Sequence, residues 1–363
     1  MVAKKQHFVP QLLLRGFATA KRGESRLNVY DFKRQQYRPK QNIKDLCAGN
    51  YEYDVDDSFE EFLCEHVETP FGSELKILSQ VTDRFDPVPS RALLRFLVVQ
   101  LARTREAYEG SLAFTNAGVQ TMFAEFARLN GLEESAFRRL RVSPSEPRAV
   151  RAYLAAYAAT QYRLLGDLRL ALIVNTTNTE FILSDHPVFQ HNWYLRESSH
   201  PMAASITVRG IQFFLPISPS VACCLYDPGI YLYRDASAGV VIEASNEDVR
   251  LLNSFQAINA GALLMARSDF MGPTLSKLGT RYSETQAFFE TATHVPASLR
   301  NDGTIRSTHF TQRRQLLLSA MPEFVKIKNK VRKRRIECVL RDPATVRAHE
   351  WFNEDIRRGY DSP

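Results

Sequence analysis

The stretch that decides the fold is Ile211-Gln-Phe-Phe-Leu-Pro-Ile-Ser-Pro-Ser-Val-Ala-Cys-Cys-Leu-Tyr-Asp227. Two runs rich in β-branched and aromatic residues flank a Ser-Pro-Ser turn, which is the pattern of a strand pair. Similar short runs, each punctuated by Gly, Pro, Asn or Asp, occupy residues 168–177, 180–188 and 239–245. The sequence therefore predicts a mostly antiparallel sheet over about residues 167–270.

Helical patterns precede this sheet. Ser58 and Glu61 form a candidate capping box for a helix that Pro70 should kink or split, and Ser90 caps a predicted helix over residues 91–110. Further helices are predicted over about 111–130 and 147–166, and another begins after Ser245. Helices followed by strands predict an α+β fold in which an N-terminal helical block packs on the sheet.

The domain prediction is a single α+β domain over residues 1–270. Its helical part spans about 58–166 and its sheet-rich part about 167–270. Residues 271–363 form a predicted C-terminal extension that is basic at 326–335.

Composition excludes several classes of protein. Hydrophobic residues make up 44% and charged residues 24% of the 363 residues, values typical of globular proteins. No apolar run approaches the roughly 18 residues that cross a bilayer, and the N-terminus lacks the apolar core of a secretory signal. These two absences predict no membrane partner. The five cysteines are scattered and form no CxxC pair, which favours a reducing cytoplasm.

Several enzyme motifs are missing from the sequence. It contains no GxxxxGK[ST] and no GxGxxG, which argues against P-loop and Rossmann nucleotide sites. It contains no HExxH and no GxSxG, which weakens the zinc protease and α/β-hydrolase interpretations.

The net charge of +7 is unevenly distributed. An N-terminal basic stretch is followed by an acidic stretch over residues 52–68, so either a polyanion partner or pairing between the two stretches is expected. Residues 326–335 hold seven cations and no acid, which predicts nucleic-acid binding, with a solvated surface as the alternative. The predicted nucleic-acid contacts are Lys326, Lys328, Lys330, Arg332, Lys333, Arg334 and Arg335.

Three segments place polar residues within apolar surroundings. His7, Gln11 and Arg15 are spaced four apart, which would form one stripe on a helix. Gln100 and Arg103 lie in a strongly apolar helix, where a buried Arg needs a phosphate or carboxylate partner, such as Glu61 or Glu68. The third segment, Ser184-Asp-His-Pro187, ends a strand and forms either a rigid site or an Asx-turn.

These segments, in this order, resemble a bacterial family of unknown function. Its members open with a His-Phe-Val-Pro-Gln signature and later carry a Gln-x-x-Arg helix and a Ser-Asp-x-Pro turn. The resemblance covers roughly residues 4–267. This chain departs from the family at Leu12 and Leu13, which replace an aromatic pair, and at Arg105, where the family often has Pro. Functional positions implied by the resemblance are His7, Gln11, Arg15, Glu68, Gln100, Arg103, Ser184, Asp185 and Asn253.

The leading hypothesis is a hydrolase acting on a phosphate-containing substrate, namely a nuclease-like enzyme on RNA or DNA in bacterial defence or toxicity. His7 is the predicted general acid or base, and Glu68 and Asp185 would orient it or bind a divalent metal ion. The predicted catalytic residues are His7, Glu68, Gln100, Arg103 and Asp185. The predicted substrate-binding residues are Gln11, Arg15, Ser184 and Asn253.

Two alternatives remain open from the sequence. In one, the same polar set is a structural network within a non-catalytic protein that binds nucleic acid or a protein partner. In the other, the protein binds a small phosphate or nucleotide in a deep pocket. The exposure of the polar set discriminates between the enzyme and the structural network, because catalytic residues must line a cleft whereas a structural network can be sealed. The enzyme hypothesis predicts that the five catalytic residues meet in space.

Overall fold

The computed structural model describes residues 5–21, 23–53, 58–133, 135, 141–198, 200, 203–234, 236–283, 290–299, 305–313, 320–332 and 336–350. Helices and mostly antiparallel sheets share one core, so the predicted α+β class is confirmed. The helices are α1 (Gln11–Phe17), α2 (Ser58–Leu63), α3 (Thr69–Leu78), α4 (Arg91–Ala102), α5 (Arg105–Leu129), α6 (Pro147–Thr160), α7 (Asn246–Asn259), α8 (Gly272–Tyr282) and α9 (Asn329–Arg332). The strands are β1 (Lys5–His7), β2 (Thr19–Lys21), β3 (Glu24–Asp31), β4 (Gln36–Asn42), β5 (Ala48–Asn50), β6 (Arg169–Val174), β7 (Leu183–Ser184), β8 (Phe189–His191), β9 (Gln212–Ser218), β10 (Val221–Tyr226), β11 (Tyr231–Tyr233), β12 (Ile242–Glu243), β13 (Leu263–Ala266), β14 (Glu290–Leu299), β15 (Ile305–Arg313) and β16 (Val325–Ile327).

The central sheet has the strand order β12-β6-β10-β9-β8. Its middle is the predicted strand pair, in which β9 and β10 are antiparallel with Phe214 opposite Cys224. Every residue of β10 is buried, because both faces of this strand are covered. The pairing of β12 with β6 is parallel, and the other pairings in this sheet are antiparallel.

A second sheet joins the N-terminal part of the chain to the region after α7. Strand β13 pairs with β3 on one side and with β7 on the other, and β2 and β4 also pair with β3. The short strands β1 and β5 pair separately, with His7 opposite Ala48. Strand β7 carries Ser184, so this sheet holds the predicted Ser-Asp-His-Pro turn close to the N-terminal region.

The predicted helix after Ser58 runs on to Leu78, with a change of pitch in its middle. Residues 64–68 form a π-helical segment between α2 and α3, and Pro70 lies in the first turn of α3. The change of pitch thus falls directly before Pro70, which cannot donate to the preceding helical turn, and the His66 carbonyl accepts from Arg95 Nη1 at 3.3 Å instead. The π-helical segment ends at Glu68, one of the predicted catalytic residues.

The prediction of one helix over residues 91–110 is wrong at Arg103. The Ser90 hydroxyl accepts from the Leu93 N–H at 3.1 Å, as predicted, but α4 ends at Ala102. The Thr104 hydroxyl then caps α5 by accepting from the Ala107 N–H at 3.3 Å. Arg103 and Thr104 are therefore a junction between two helices, and both residues are buried there.

Two segments beyond residue 270 pack on the core. Helix α8 contacts β3 so closely that a Cβ at Gly279 would lie 2.1 Å from Tyr30 Cε1, so glycine is required at this position. Strand β16 pairs antiparallel with β11, and Phe324 beside it is fully buried. Strands β14 and β15 pair with each other. Among the described helices, none combines the length and apolarity needed to cross a bilayer.

Candidate functional site

His7 lies in strand β1 and not on a helix, so the predicted helical stripe of His7 with Gln11 and Arg15 does not form. The half-buried ring makes a hydrogen bond to the Ile43 backbone, and since Nε2 has no partner among the described residues, we assign this bond to Nδ1. Burial lowers the pKa of His7, although the Ile43 bond and the Glu68 charge oppose this shift. A neutral imidazole whose Nδ1 donates to a carbonyl leaves Nε2 as an acceptor, which is the tautomer of a general base.

Glu68 and Arg103 form an ion pair beside His7. Arg103 Nη1 donates to Glu68 Oε1 at 2.8 Å, and the Arg103 side chain is 1% exposed against 26% for Glu68. Both charges act on His7, since the Glu68 carboxylate raises its pKa and the Arg103 guanidinium lowers it. The predicted intramolecular partner of Arg103 is thus Glu68 rather than Glu61. Arg103 Nη2 is buried and has no hydrogen-bond partner in the part of the chain that the structure describes.

Gln100 and Arg103 both hold the backbone next to His7. Gln100 Nε2 donates to the Phe8 carbonyl at 2.9 Å, and Arg103 Nε donates to the same oxygen at 3.0 Å. Arg103 Nε also lies 3.0 Å from Gln100 Oε1. His7, Glu68, Gln100 and Arg103 therefore converge into one cluster, which we call the His7 network. Its inner part is sealed by Gln100 and Arg103, whereas His7 and Glu68 are partly open to solvent.

The sequence interpretation missed two residues outside this network that are linked to it by hydrogen bonds, Gln6 and Tyr53. The buried Gln6 accepts from the Tyr53 N–H at 2.8 Å, and the Tyr53 hydroxyl donates to the Arg103 carbonyl at 3.1 Å. Gln6 directly precedes His7, and this position in the sequence was the available signal that Gln6 belongs to the same site. Tyr53 gave no comparable signal, because its partners are remote in sequence.

Asp185 belongs to a second cluster. Its two carboxylate oxygens accept from the Gly261 and Ala262 N–H groups at 3.0 and 2.8 Å, and burial raises the pKa of its carboxyl. Among the described residues, no hydrogen bond or ion pair joins Asp185 to His7, Glu68, Gln100 or Arg103. The structure thus joins Glu68, Gln100 and Arg103 by direct hydrogen bonds, links His7 to them through the neighbouring Phe8 carbonyl, and gives Asp185 different partners.

Three amides on α7 hold the Ser-Asp-His-Pro turn. Asn253 accepts from the Ile182 N–H at 3.0 Å and donates to the Glu180 carbonyl at 2.8 Å. Gln256 accepts from the Ser184 N–H and hydroxyl at 3.0 and 2.9 Å, and Asn259 donates to the Val188 carbonyl at 2.9 Å. The spacing of three between Asn253, Gln256 and Asn259 was a signal in the sequence that these amides share one helix face.

His186 connects the turn to α5 through a close ion pair with Glu106. Burial alone would raise the pKa of Glu106, but the hydrogen bond and charge of His186 outweigh it and lower that pKa. Glu106 follows Arg103 by three residues across the α4–α5 junction. This second cluster, made of Ser184, Asp185, His186, Glu106 and the three amides, is called the turn network below.

The remaining predicted residues lie at the surface. The Arg15 side chain is exposed and donates to Gln11 Oε1 at 3.0 Å, so these two form the predicted helical pair by themselves. Lys326 lies on β16, Lys328 Nζ donates to the Pro228 carbonyl, and Lys330 and Arg332 are exposed. The predicted contacts Lys333, Arg334 and Arg335 lie outside the described residues.

The charged stretches are partly paired within the molecule. Buried Glu52 lies 3.0 Å from Arg151 and 3.5 Å from Arg105, and Glu68 pairs with Arg103. These acids of the 52–68 stretch pair with helix arginines rather than with the N-terminal cations. In the part of the chain that the structure describes, no three His, Cys, Asp or Glu side chains are grouped to hold a metal ion.

The fold and the two networks define an α+β protein in which buried polar contacts join the N-terminal strand, the helical block and the end of β7. Residues 5–270 match the family model described as "Protein of unknown function (DUF4238)", and the chain belongs to this family. Neither the curated proteins nor the solved structures gave a match.

Proposed function

We propose that the protein is a hydrolase of phosphate esters, most specifically a phosphodiesterase with nuclease-like chemistry, and that His7 is its general base. The supporting observation is a pair of buried polar atoms in the His7 network, His7 Nε2 and Arg103 Nη2, which have no hydrogen-bond partner among the described residues. Buried polar atoms normally have partners, so an acceptor and a donor left open beside one carboxylate suit a substrate oxygen and an attacking water.

In this proposal His7 Nε2 removes a proton from water as the water oxygen attacks phosphorus. The bond between phosphorus and the leaving oxygen breaks, and the imidazolium returns its proton to that oxygen. Arg103 Nη2 donates to a phosphoryl oxygen, while Glu68 and Gln100 fix the guanidinium by the contacts described above. Because Arg103 Nε and Nη1 are occupied, the guanidinium offers the phosphate one nitrogen rather than a bidentate fork.

The π-helical segment at 64–68 gives further support, because such segments often occur at functional sites. Within the proposal, Ser184, Asp185 and Asn253 act indirectly. Their side chains bind backbone groups around the turn and so hold His186 in place. His186 in turn contacts Glu106, which lies in the first turn of α5, three residues after Arg103.

The alternative is a non-catalytic binding protein in which the same residues specify the fold. The burial of Gln100, Arg103 and Asp185 favours this alternative for the inner part of both networks. The partial exposure of His7 and Glu68 as residues favours the enzyme, although the Nε2 atom of His7 is itself buried. The two functions differ in their response to a change at His7.

The test compares His7→Gln with His66→Gln, a matched change at an exposed histidine on the neighbouring π-helical segment. Hydrolysis of a chromogenic phosphodiester and of labelled RNA and DNA is measured, together with the thermal melting midpoint. We expect His7→Gln to lose about 100-fold or more in kcat/KM while its midpoint stays near that of the wild type. His66→Gln should retain activity.

The pH profile provides a second readout. Since burial lowers the pKa of His7 and the base must be neutral, kcat/KM should rise with pH through a value below 6.5 and then level off. Absence of hydrolysis by the wild type, or equal activity in His7→Gln, would contradict the proposal. A large fall in the melting midpoint of His7→Gln would favour the structural alternative.

A further inference from the structure

Two clefts lie side by side between β11, α9 and the segment after β8. Their volumes are about 430 and 520 Å³, and both are lined by Tyr194 and Val331, which form a ridge between them. Volumes of this size are typical of sites for small ligands or single nucleotides, which span roughly 300–1,000 Å³. Neither cleft is lined by a member of the His7 network or of the turn network.

The larger cleft has a mainly apolar lining. Its lining includes Trp193, Met321, Ile327 and Ile336. Trp193 is fixed because its indole N–H donates to the Ala320 carbonyl at 3.1 Å, and only 2% of the residue is exposed. A rigid apolar cleft beside a half-buried tyrosine suits the flat face of a nucleobase.

Two charged residues of the smaller cleft are already satisfied by the protein. Asp227 accepts from the Gly210 and Gly229 N–H groups at 2.9 and 2.7 Å. Arg341 donates to Asp167 at 2.7 Å and to the Ile206 carbonyl at 2.7 Å. Neither side chain therefore requires a ligand.

The exposed charges that remain around the two clefts are predominantly positive. Among the described lining residues, Arg209, Lys330 and Arg332 face a single exposed acid, Glu337, outside the Arg196–Glu197 ion pair. Because cations border both clefts and the larger cleft has a mainly apolar lining, a ligand with both flat apolar parts and negative charge is complementary to this surface.

Helix α9 holds two of these cations in fixed positions on either side of the ridge. Pairing of β16 with β11 anchors the segment, the Lys328 N–H donates to the Ile230 carbonyl at 2.9 Å, and Lys328 Nζ donates to the Pro228 carbonyl. Lys330 lines the smaller cleft and Arg332 lines the larger cleft, with buried Val331 between them. Two cations on opposite sides of a ridge are placed for successive phosphates of one strand.

We propose that this double cleft binds single-stranded nucleic acid, with one nucleotide on each side of the Tyr194–Val331 ridge. Lys330 and Arg332 contact the phosphates, and a base stacks on Tyr194. The inference rests on the proposed function in one respect, because it takes the substrate to be a phosphodiester. A duplex fits less well, since α9 has four residues and is too short to lie along a groove.

The experiment measures binding of a fluorescein-labelled twelve-nucleotide RNA, and of the matching DNA, by fluorescence anisotropy at several salt concentrations. The double variant Lys330→Gln/Arg332→Gln should bind at least tenfold more weakly at low salt. A plot of log affinity against log salt concentration should have a flatter slope for this variant than for the wild type. The difference should be about 0.7 for each phosphate that the variant no longer neutralises. The control Lys76→Gln/Lys277→Gln removes the same charge at exposed positions elsewhere and should bind within twofold of the wild type.

Tyr194→Ala tests the stacking contact and should also weaken binding about tenfold or more, with an unchanged salt slope. Equal reductions of affinity in the cleft variant and the control would overturn the inference, because attraction would then be non-specific. Equal affinity for a duplex, or for a free mononucleotide, would overturn it as well.

The failure of this inference is distinguishable from failure of the proposed function. Hydrolysis of the small chromogenic phosphodiester by the wild type and His7→Gln tests the proposed function, whereas oligonucleotide binding by the wild type and the cleft variant tests this inference. If binding persists without any hydrolysis, only the proposed function fails. If hydrolysis persists while the cleft variant binds normally, only this inference fails.

Discussion

Replacing His191 by phenylalanine should remove a large part of the acid sensitivity of the fold. His191 is 2% exposed, and its ring lies edge-on to Trp193 at 4.5 Å and parallel to Phe189 at 5.9 Å. Burial, assisted by the charge of Arg196, lowers its pKa from 6.5 to about 3, and no described residue hydrogen-bonds to its Nε2. The native state therefore holds this imidazole neutral far below the pH at which the unfolded chain protonates it.

The size and sign of the effect follow from linkage. Between about pH 3 and 6.5 the unfolded chain binds a proton that the native state rejects, so the free energy of unfolding falls by about 1.4 kcal/mol per pH unit on acidification. This group alone should lower the free energy of unfolding by roughly 2.3 kcal/mol between pH 6.5 and pH 4.5, because the unfolded histidine is already half protonated at pH 6.5. Its penalty is absent above pH 6.5 and complete below about pH 3.

The assay is urea unfolding of the wild type and His191→Phe, monitored by circular dichroism at pH 7, 6, 5 and 4.5. It measures the difference in the free energy of unfolding between the two proteins at each pH. Any packing change from the new ring offsets all four points equally, so the informative quantity is the change in the difference with pH. We expect His191→Phe to gain roughly 2–3 kcal/mol on the wild type between pH 7 and pH 4.5. A difference that is constant with pH would refute the reasoning, since it would mean that native His191 protonates as freely as in the unfolded chain.

Two further changes test the polar networks by their effect on stability. Arg103→Met should lower the free energy of unfolding by about 3 kcal/mol, because Glu68 and the Phe8 carbonyl lose their bonds to the guanidinium. Urea unfolding measures this decrease. A decrease smaller than the one caused by Glu68→Gln would contradict the prediction. Gln256→Leu leaves the Ser184 N–H without its acceptor and should cost about 2 kcal/mol by the same measurement, with unchanged stability as the contrary result.

Local features of the fold could be predicted from the sequence because their determinants are close together in the chain. The strand pair β9–β10 follows from β-branched and aromatic runs around a turn, and Ser90 and Ser245 cap helices through N–H groups three residues away. The Gln11–Arg15 contact depends only on a spacing of four within α1. Such contacts form within one element, so the pattern of residue types is sufficient to locate them.

Within the candidate site, the sequence indicated which polar residues are unusual but not which of them meet. Gln100 and Arg103 stood out because their helix is otherwise apolar, and Asp185 stood out because it ends a strand. All three are buried. Their separation into the His7 network and the turn network could not be inferred, since their partners are backbone groups supplied by distant segments.

Tertiary structure alone decided these pairings. The Phe8 carbonyl that Gln100 and Arg103 bind lies 92 and 95 residues away, and the amides that bind Asp185 lie 76 and 77 residues away. Backbone N–H and carbonyl groups are nearly identical at every residue, so the sequence does not show which of them will face a given buried side chain. Only the packing of the chain decides this. For the same reason the sequence indicated the charge of the run at 326–332 but not that Lys328 is bound internally, while Lys330 and Arg332 remain at the clefts.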